Sequence, residues 1–312
     1  MLYRVMNLPI MMQIPEFFYK EETICGHKVS IMDKKMWAVE LDLLHKFQQV
    51  CTKHQLKWYM AYGSLLGAIR HKGFIPWDND IDVMMPREDF RKLCEIAPNE
   101  FMHPYFLSTP ISESGRFYRS IAKLCNSLTT GGSEDLWLQG INCGLFIDIF
   151  ILDDMPDKEK DILKLIKKAN FYSHLARFLS PYPRHDKGFK AIKHWCWTML
   201  WKYKYHQCKG DYIFKKIDDI YGSTLNKNYQ HVGLFERSIK NTFIFDKSHF
   251  AKTIMTPFEM LQVPIPSGYD AILRQLYGDY MQFPSEAQRT THPYLDIDPE
   301  TPYTEYYKKR FS

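Results

Sequence analysis

Apolar positions along the chain fall into two regimes. Trp37, Leu41, Leu44, Phe47 and Cys51 recur at helical spacing within residues 33–54, which predicts an amphipathic helix whose stripe is core packing. Trp58, Tyr59, Met60, Ala61 and Tyr62 form a strand-like run leading into Gly63, with Ser64 placed as the N-cap of a helix over 64–71. Residues 80–85, 117–125 and 143–151 read as further strands and 87–96 as a helix, giving a small mixed sheet flanked by helices. From Asp157 the pattern turns helical, over 157–179, 187–206 and 211–221. Short apolar segments return over 229–265, and a last helix is expected at 268–277 before a Pro-rich tail. The predicted organisation is a catalytic core over 1–155, a helical region over 156–228 and a C-terminal region over 229–312 that completes the site.

Three carboxylates stand where apolar residues are expected. Asp80-Ile81-Asp82 lies in a strand-like segment, and alternation puts both side chains on one face. Carboxylates held together repel unless a cation lies between them. Oxygen ligands suit Mg²⁺, which takes one or two carboxylates and completes its shell with water and substrate phosphates. Asp-x-Asp alone also occurs in solvated loops, calcium sites and sugar-nucleotide enzymes, so its context matters. The upstream Gly63-Ser64 turn offers free N–H groups, a helix dipole and no Cβ at Gly63, all suited to a phosphate. Asp148 is the one charge between Ile141 and Leu152. Burying it unpaired costs on the order of several kcal/mol. A strand-end Asp capping a turn is the structural alternative, but a metal shared with Asp80 and Asp82 explains its position better.

The string LLGAIRHKGFIPWDNDIDV at 65–83 resembles the LicD family, which includes fukutin-related proteins and belongs to the nucleotidyltransferase-fold superfamily. FYRSIAKLCNSLTT (117–130), GLFIDIF (144–150) and LYGDYMQFPSEAQRTTH (276–292) are similar to further blocks of that family. Two departures stand out: Asp78-Asn79-Asp80 replaces three consecutive Asp, and Ile151 replaces a Pro. The resemblance implies an α+β fold, a nucleotidyltransferase-like mixed sheet with flanking helices plus a helical insertion and a C-terminal region. It further implies a Mg²⁺-dependent phosphotransferase, with Mn²⁺ as the alternative ion. Phosphocholine, or a related phospho-alditol, would pass from a CDP-linked donor to a hydroxyl of a cell-surface glycan of lipopolysaccharide, teichoic acid or capsule type. Asp80 and Asp82 would hold the metal, and Asp148 would complete that site or take the acceptor proton. Gly63 and Ser64 would cradle the phosphates, while Arg70, Lys72 and Lys123 would neutralise developing charge. Arg289 and His292 enter only through the C-terminal signature. Trp77 is a candidate wall for a choline headgroup by cation–π attraction.

Bulk properties narrow the partners. The net charge of +5 is modest and evenly spread, which gives nucleic-acid binding little support. Seven cysteines without a Cys-x-x-Cys pair predict buried reduced thiols and a cytoplasmic location. The first residues lack the apolar core of a signal peptide, and no apolar run is long enough to span a bilayer. In 187–206, three Trp, two Tyr and Met199 mix with Lys187, Lys190, Lys193, Lys202 and Lys204. A core helix with a solvated Lys edge is the simpler interpretation. Peripheral contact with the inner membrane face, and so with a lipid-linked glycan, is the sharper one. The functional alternatives are a true nucleotidyltransferase acting on a small acceptor, a glycosyltransferase using Asp-x-Asp, and a non-catalytic glycan-assembly scaffold. The Gly-Ser helix disfavours the glycosyltransferase, and the intact carboxylates disfavour the scaffold.

Overall fold

The computed structural model of the chain describes residues 8–113, 121–179, 195–200, 203, 205, 210–235, 238–289 and 296–311. A hairpin of β1 (Glu22–Ile24) and β2 (His27–Val29) precedes α1 (Ile31–Lys53). Next come β3 (Tyr59–Met60), α2 (Tyr62–Arg70), β4 (Asp82–Pro86) and α3 (Arg87–Glu100). β5 (Tyr105–Ser108), β6 (Ala122–Asn126), β7 (Thr130–Gly132), α4 (Glu134–Leu138) and β8 (Leu145–Met155) follow. The second half contains α5 (Glu159–Leu179), α6 (Gly210–Gly222), β9 (His231–Leu234), β10 (Phe243–Asp246), β11 (Thr253–Phe258), β12 (Leu261–Pro266) and α7 (Tyr269–Tyr277). β13 (Asp296–Asp298) and α8 (Tyr303–Phe311) end it.

The fold is mixed α+β, and β8 is its axis. The first part of β8 pairs antiparallel with β6 and parallel with β4, while Asp153 to Met155 pair antiparallel with β9. β5 extends the sheet beyond β6, β3 beyond β4, and β10 beyond β9. Leu145, Ile147 and Ile149 of β8 are buried on one face, while Phe146, Asp148 and Phe150 on the other are partly exposed, so the near-continuous apolar run covers one fully buried face and one half-buried one.

α1 begins with a capping box. Ser30 Oγ accepts from the Asp33 N–H at 3.2 Å, and Asp33 Oδ2 accepts from the Ser30 N–H at 2.8 Å. The helix packs against β8 and β6 and buries Trp37, Leu41, Leu44 and Phe47, as the periodicity predicts. Its buried surface is broader than an apolar stripe, however, because Lys34, Glu40 and Asp42 are buried too. Asp42 accepts from the Met11 and Met12 N–H groups at 2.9 and 2.7 Å and from the Tyr105 hydroxyl at 2.7 Å. Lys34 pairs with Glu22.

A second buried polar group ties the helical region to the sheet. Arg87, at the start of α3, bonds both carboxylate oxygens of Asp153 in β8, one at 2.7 Å, and reaches Asp218 in α6. Arg91 bonds the other Asp218 oxygen at 2.8 Å. Smaller apolar clusters lie beside this bridge, one around Ile162, Ile166, Tyr221 and Phe235 and one around Leu175, Ala176 and Ile213.

Several predicted boundaries shift. The strand expected from residue 80 starts at Asp82, and the helix expected from 64 starts at Tyr62. Of the stretch 187–206, only 195–200, 203 and 205 are described; Trp195, Trp197, Met199, Leu200 and Tyr203 are exposed there, not packed into a core. Cys51, Cys125 and Cys143 are buried free thiols, whereas Cys25 and Cys196 are exposed.

Candidate active site

Register puts the expected carboxylates side by side. Asp82 in β4 is the partner of Asp148 in β8, and Asp148 is the partner of Lys123 in β6. Three adjacent strands therefore carry a row Lys123–Asp148–Asp82 across one level of the sheet. The Asp148 N–H donates to the Ile81 carbonyl at 2.9 Å, which fixes the level of the preceding loop as well. Lys123 Nζ lies 3.6 Å from Asp148 Oδ1 and 2.9 Å from the centre of the Phe146 ring. Lys123 and Asp82 are both buried. Burial pushes the Asp82 carboxyl well above its ordinary range; the negative charges of Asp80, Asp148 and Asp78 add to this and Lys123 opposes it.

The Gly63-Ser64 turn differs from its expected form. Ala61 caps α2, and Tyr62 enters the helix at φ +42°, so Ser64 lies inside the first turn and is not the N-cap. Ser64 Oγ instead accepts from the Asp82 N–H at 2.8 Å, locking the helix to the start of β4. A Cβ on Gly63 would stand 2.6 Å from Asp78 Oδ2. The missing Cβ therefore admits the Asp78 carboxylate to the positive end of α2. Asp78 is a site residue that sequence reasoning passed over, having treated it only as a variation on an Asp run. Burial, then Asp80, pushes its carboxyl up to about 8.

Two more groups join the site without having been foreseen. Glu40 of α1 is 2% exposed, and burial followed by the fields of Asp80, Asp78, Asp82 and Asp148 raises its carboxyl well above the usual range. The signal was present as an acid inside an apolar stripe, but helical periodicity alone cannot tell a buried Glu from a solvated one. Tyr277, at the end of α7, is 44% exposed as a residue, but desolvation around its hydroxyl, with the charges of Asp82, Asp78 and Asp80, raises that hydroxyl above its ordinary value.

The predicted cations separate into two sets. Lys123 is in the row. Arg70 donates to the Tyr280 carbonyl at 2.7 Å and the Gln282 carbonyl at 3.3 Å, clamping the loop after α7 onto α2. Arg289 donates to the carbonyls of Pro284 and Cys25 at 3.1 and 3.0 Å. Its guanidinium lies 4.5 Å from the Trp77 ring centre, with Arg70 at 6.0 Å. Trp77, 7% exposed, is thus packed against cations of the protein itself. Lys72 is exposed, and its carbonyl accepts from the Glu259 N–H in the β11–β12 turn at 2.7 Å. His292 lies outside the described residues.

The donor set is all oxygen, which suits a hard divalent cation. Among the described residues, no three acidic, His or Cys side chains converge tightly enough to hold an ion by protein ligands alone. Mg²⁺ commonly takes only one or two carboxylates from a protein, with water and phosphate for the rest.

Comparison with known proteins places the chain. A family model described as LicD/FKTN/FKRP, nucleotidyltransferase domain, matches residues 55–123, which span β3, α2, β4 and Lys123. Lipopolysaccharide cholinephosphotransferase LicD of Haemophilus influenzae is 30% identical over 284 residues, 85% of this chain and 96% of that protein. An uncharacterized protein of Rickettsia prowazekii is 37% identical over 130 residues, 42% of this chain and 44% of that one. Mannosyltransferase regulator 4 of Saccharomyces cerevisiae is 23% identical over 150 residues, 47% of this chain and 12% of its own length. With a relative matched along nearly its whole length, the chain belongs to the LicD family.

Proposed function

We propose that this chain transfers phosphocholine, or a related phospho-alditol, from a CDP-linked donor to a hydroxyl of a lipopolysaccharide-type glycan, on a nucleotidyltransferase-like core. The observation that carries the proposal is the row Lys123–Asp148–Asp82, in a chain 30% identical over 85% of its length to a protein named a lipopolysaccharide cholinephosphotransferase. Asp80 and Asp82 would hold Mg²⁺ or Mn²⁺, which when bound neutralises charge on the donor diphosphate. The acceptor oxygen forms a bond to the phosphorus bearing choline as the bond from that phosphorus to the bridging oxygen breaks. CMP leaves with the electron pair, and the hydroxyl proton passes to a base. Lys123, buried at the end of the row, contributes fixed positive charge where negative charge builds up. Ser64 and the Asp82 N–H keep β4 and α2 in register, so the acidic loop does not have to be ordered during the reaction.

Two roles are open to Asp148, ligand or proton acceptor. Asp148→Asn separates them: a ligand role predicts loss of Mn²⁺ affinity together with turnover, and a base role predicts loss of turnover alone. The test of the whole proposal is to incubate the protein with Mg²⁺, an acceptor glycan and a panel of CDP-linked donors. Free CMP together with choline phosphate on the acceptor is the expected result. CMP attached to the acceptor would instead identify nucleotidyl transfer, which the description of the matching family model favours as the second reading. No turnover with any donor would leave the scaffold role.

A further inference from the structure

The transfer proposed above makes no use of Glu40, yet this residue is built into the same place. Its Oε2 is buried and, among the described residues, accepts no hydrogen bond. The two other fully buried charged side chains of α1 are satisfied, Asp42 by three donors and Lys34 by Glu22, while His45, further along the helix and half-buried, also keeps one ring nitrogen, Nδ1, without a partner among the described residues. Trp37 precedes Glu40 by three residues, about one helical turn, and so shares its face. The Trp37 indole N–H donates to the Asp78 carbonyl at 3.4 Å, so this face of α1 is laid against the acidic loop. The carboxylates acting on Glu40 are Asp80 and Asp78 first, then Asp82 and Asp148. A Gln or Met would fill the same volume without the cost of a buried acid. Lys123 and one divalent cation together bring three positive charges against five carboxylates.

We infer that Glu40 is an outer carboxylate of the cation site, its buried Oε2 accepting a hydrogen bond from water bound to a hard divalent cation. The inference rests on Asp80 and Asp82 being cation ligands, so the experiment tests the two separately. Mn²⁺ is titrated into the full chain without donor, followed by its electron paramagnetic resonance signal, for wild type, Asp82→Asn and Glu40→Gln. Melting temperature is measured for each in the absence of metal. Glu40→Gln keeps the side-chain volume and removes the charge, so it should melt at or above the wild-type temperature without metal. Its Mn²⁺ affinity should fall about 10- to 100-fold, the range seen when groups supporting a metal site are removed. Glu40→Asp, which withdraws the oxygen by one methylene, should weaken Mn²⁺ as well and provides the reading if the Gln variant does not fold. Wild-type Mn²⁺ affinity in a folded Glu40 variant, with Asp82→Asn unable to bind, overturns the inference and leaves the cation site standing. A wild-type chain that binds no Mn²⁺ overturns both.

Discussion

A carboxyl held near pH 8, as at Asp78, binds its proton far more tightly in the folded chain than in the unfolded one, where the reference value is 3.8. Between those values the folded state carries the extra proton, so stability falls as pH rises and the loss is complete above about pH 8. His71 acts in the opposite sense. Burial, then Arg70, lowers it to about 4, so the unfolded state binds the extra proton between about 4 and 6.5 and stability there rises with pH. Without divalent metal, the melting temperature should therefore decline from about pH 6.5 to pH 8, where only the raised acids act. Mg²⁺ should flatten the decline and Asp78→Asn should reduce it; a metal-free melting curve level across that window would contradict the protonated acidic site. Gly63→Ala gives an independent reading, because its Cβ would meet Asp78 Oδ2 at 2.6 Å. Displacing that carboxylate should cost about 1–3 kcal/mol, measured by urea unfolding, and should shrink the same pH slope. An unchanged slope in the Ala variant would mean that Asp78 has room beside residue 63. Asp82 and Asp148 stood out in the sequence because each is a charge beside or within an apolar run, and Asp80 only as the first acid of Asp-x-Asp; the structure leaves it in the loop before β4. Asp78 and Glu40 did not, since a loop Asp and a helical Glu are ordinary on a surface and only tertiary packing buries them.

At the scale of elements, the parallel pairing of β4 with β8 and the antiparallel pairing of β6 with β8 are what bring sequence-distant residues to one level. Alternation expected Asp80 and Asp82 on one face of a strand, but β4 begins at Asp82 and leaves Asp80 in the preceding loop, and register across strands depends on partners that no local pattern names. Arg70 illustrates the same limit. Its position after the Gly-Ser helix suggested a phosphate contact, while the structure gives it two carbonyls of a loop about 210 residues away in sequence. The bridge from Arg87 to Asp153 and Asp218 supplies a stability prediction. Asp153→Ala strands a buried guanidinium and should cost about 3–5 kcal/mol, whereas replacing Arg87 and Asp153 together by Met and Leu should restore most of it. Urea denaturation of the single and double variants measures both. A double variant no more stable than the single one would show that the bridge fixes geometry that apolar packing cannot replace.

For the whole molecule, the proposed glycan acceptor, if carried on lipid, would have to be met at a membrane surface. No helix among the described residues is long and apolar enough to cross a membrane. Trp195, Trp197, Met199 and Leu200 nevertheless stand 63%, 46%, 52% and 55% exposed on one short helical stretch. Large aromatics are costly to leave in water, and Trp is suited to the boundary between headgroups and acyl chains. The sequence places Lys190, Lys193, Lys202 and Lys204 around them. Each Lys near an anionic leaflet is worth about 1 kcal/mol, so the four together supply about 4 kcal/mol, enough to hold a protein reversibly at the surface. Changing all four to Gln should cut co-sedimentation with phosphatidylglycerol vesicles at low salt and slow transfer to a lipid-linked acceptor. Transfer to a soluble acceptor fragment should be spared, because the proposed catalytic row lies on β4, β6 and β8. Raising the salt should mimic the substitution, since screening shortens the reach of the lysines to about 3 Å at 1 M. Wild-type protein that stays in the supernatant at both salt concentrations would assign the exposed tryptophans to a partner other than lipid.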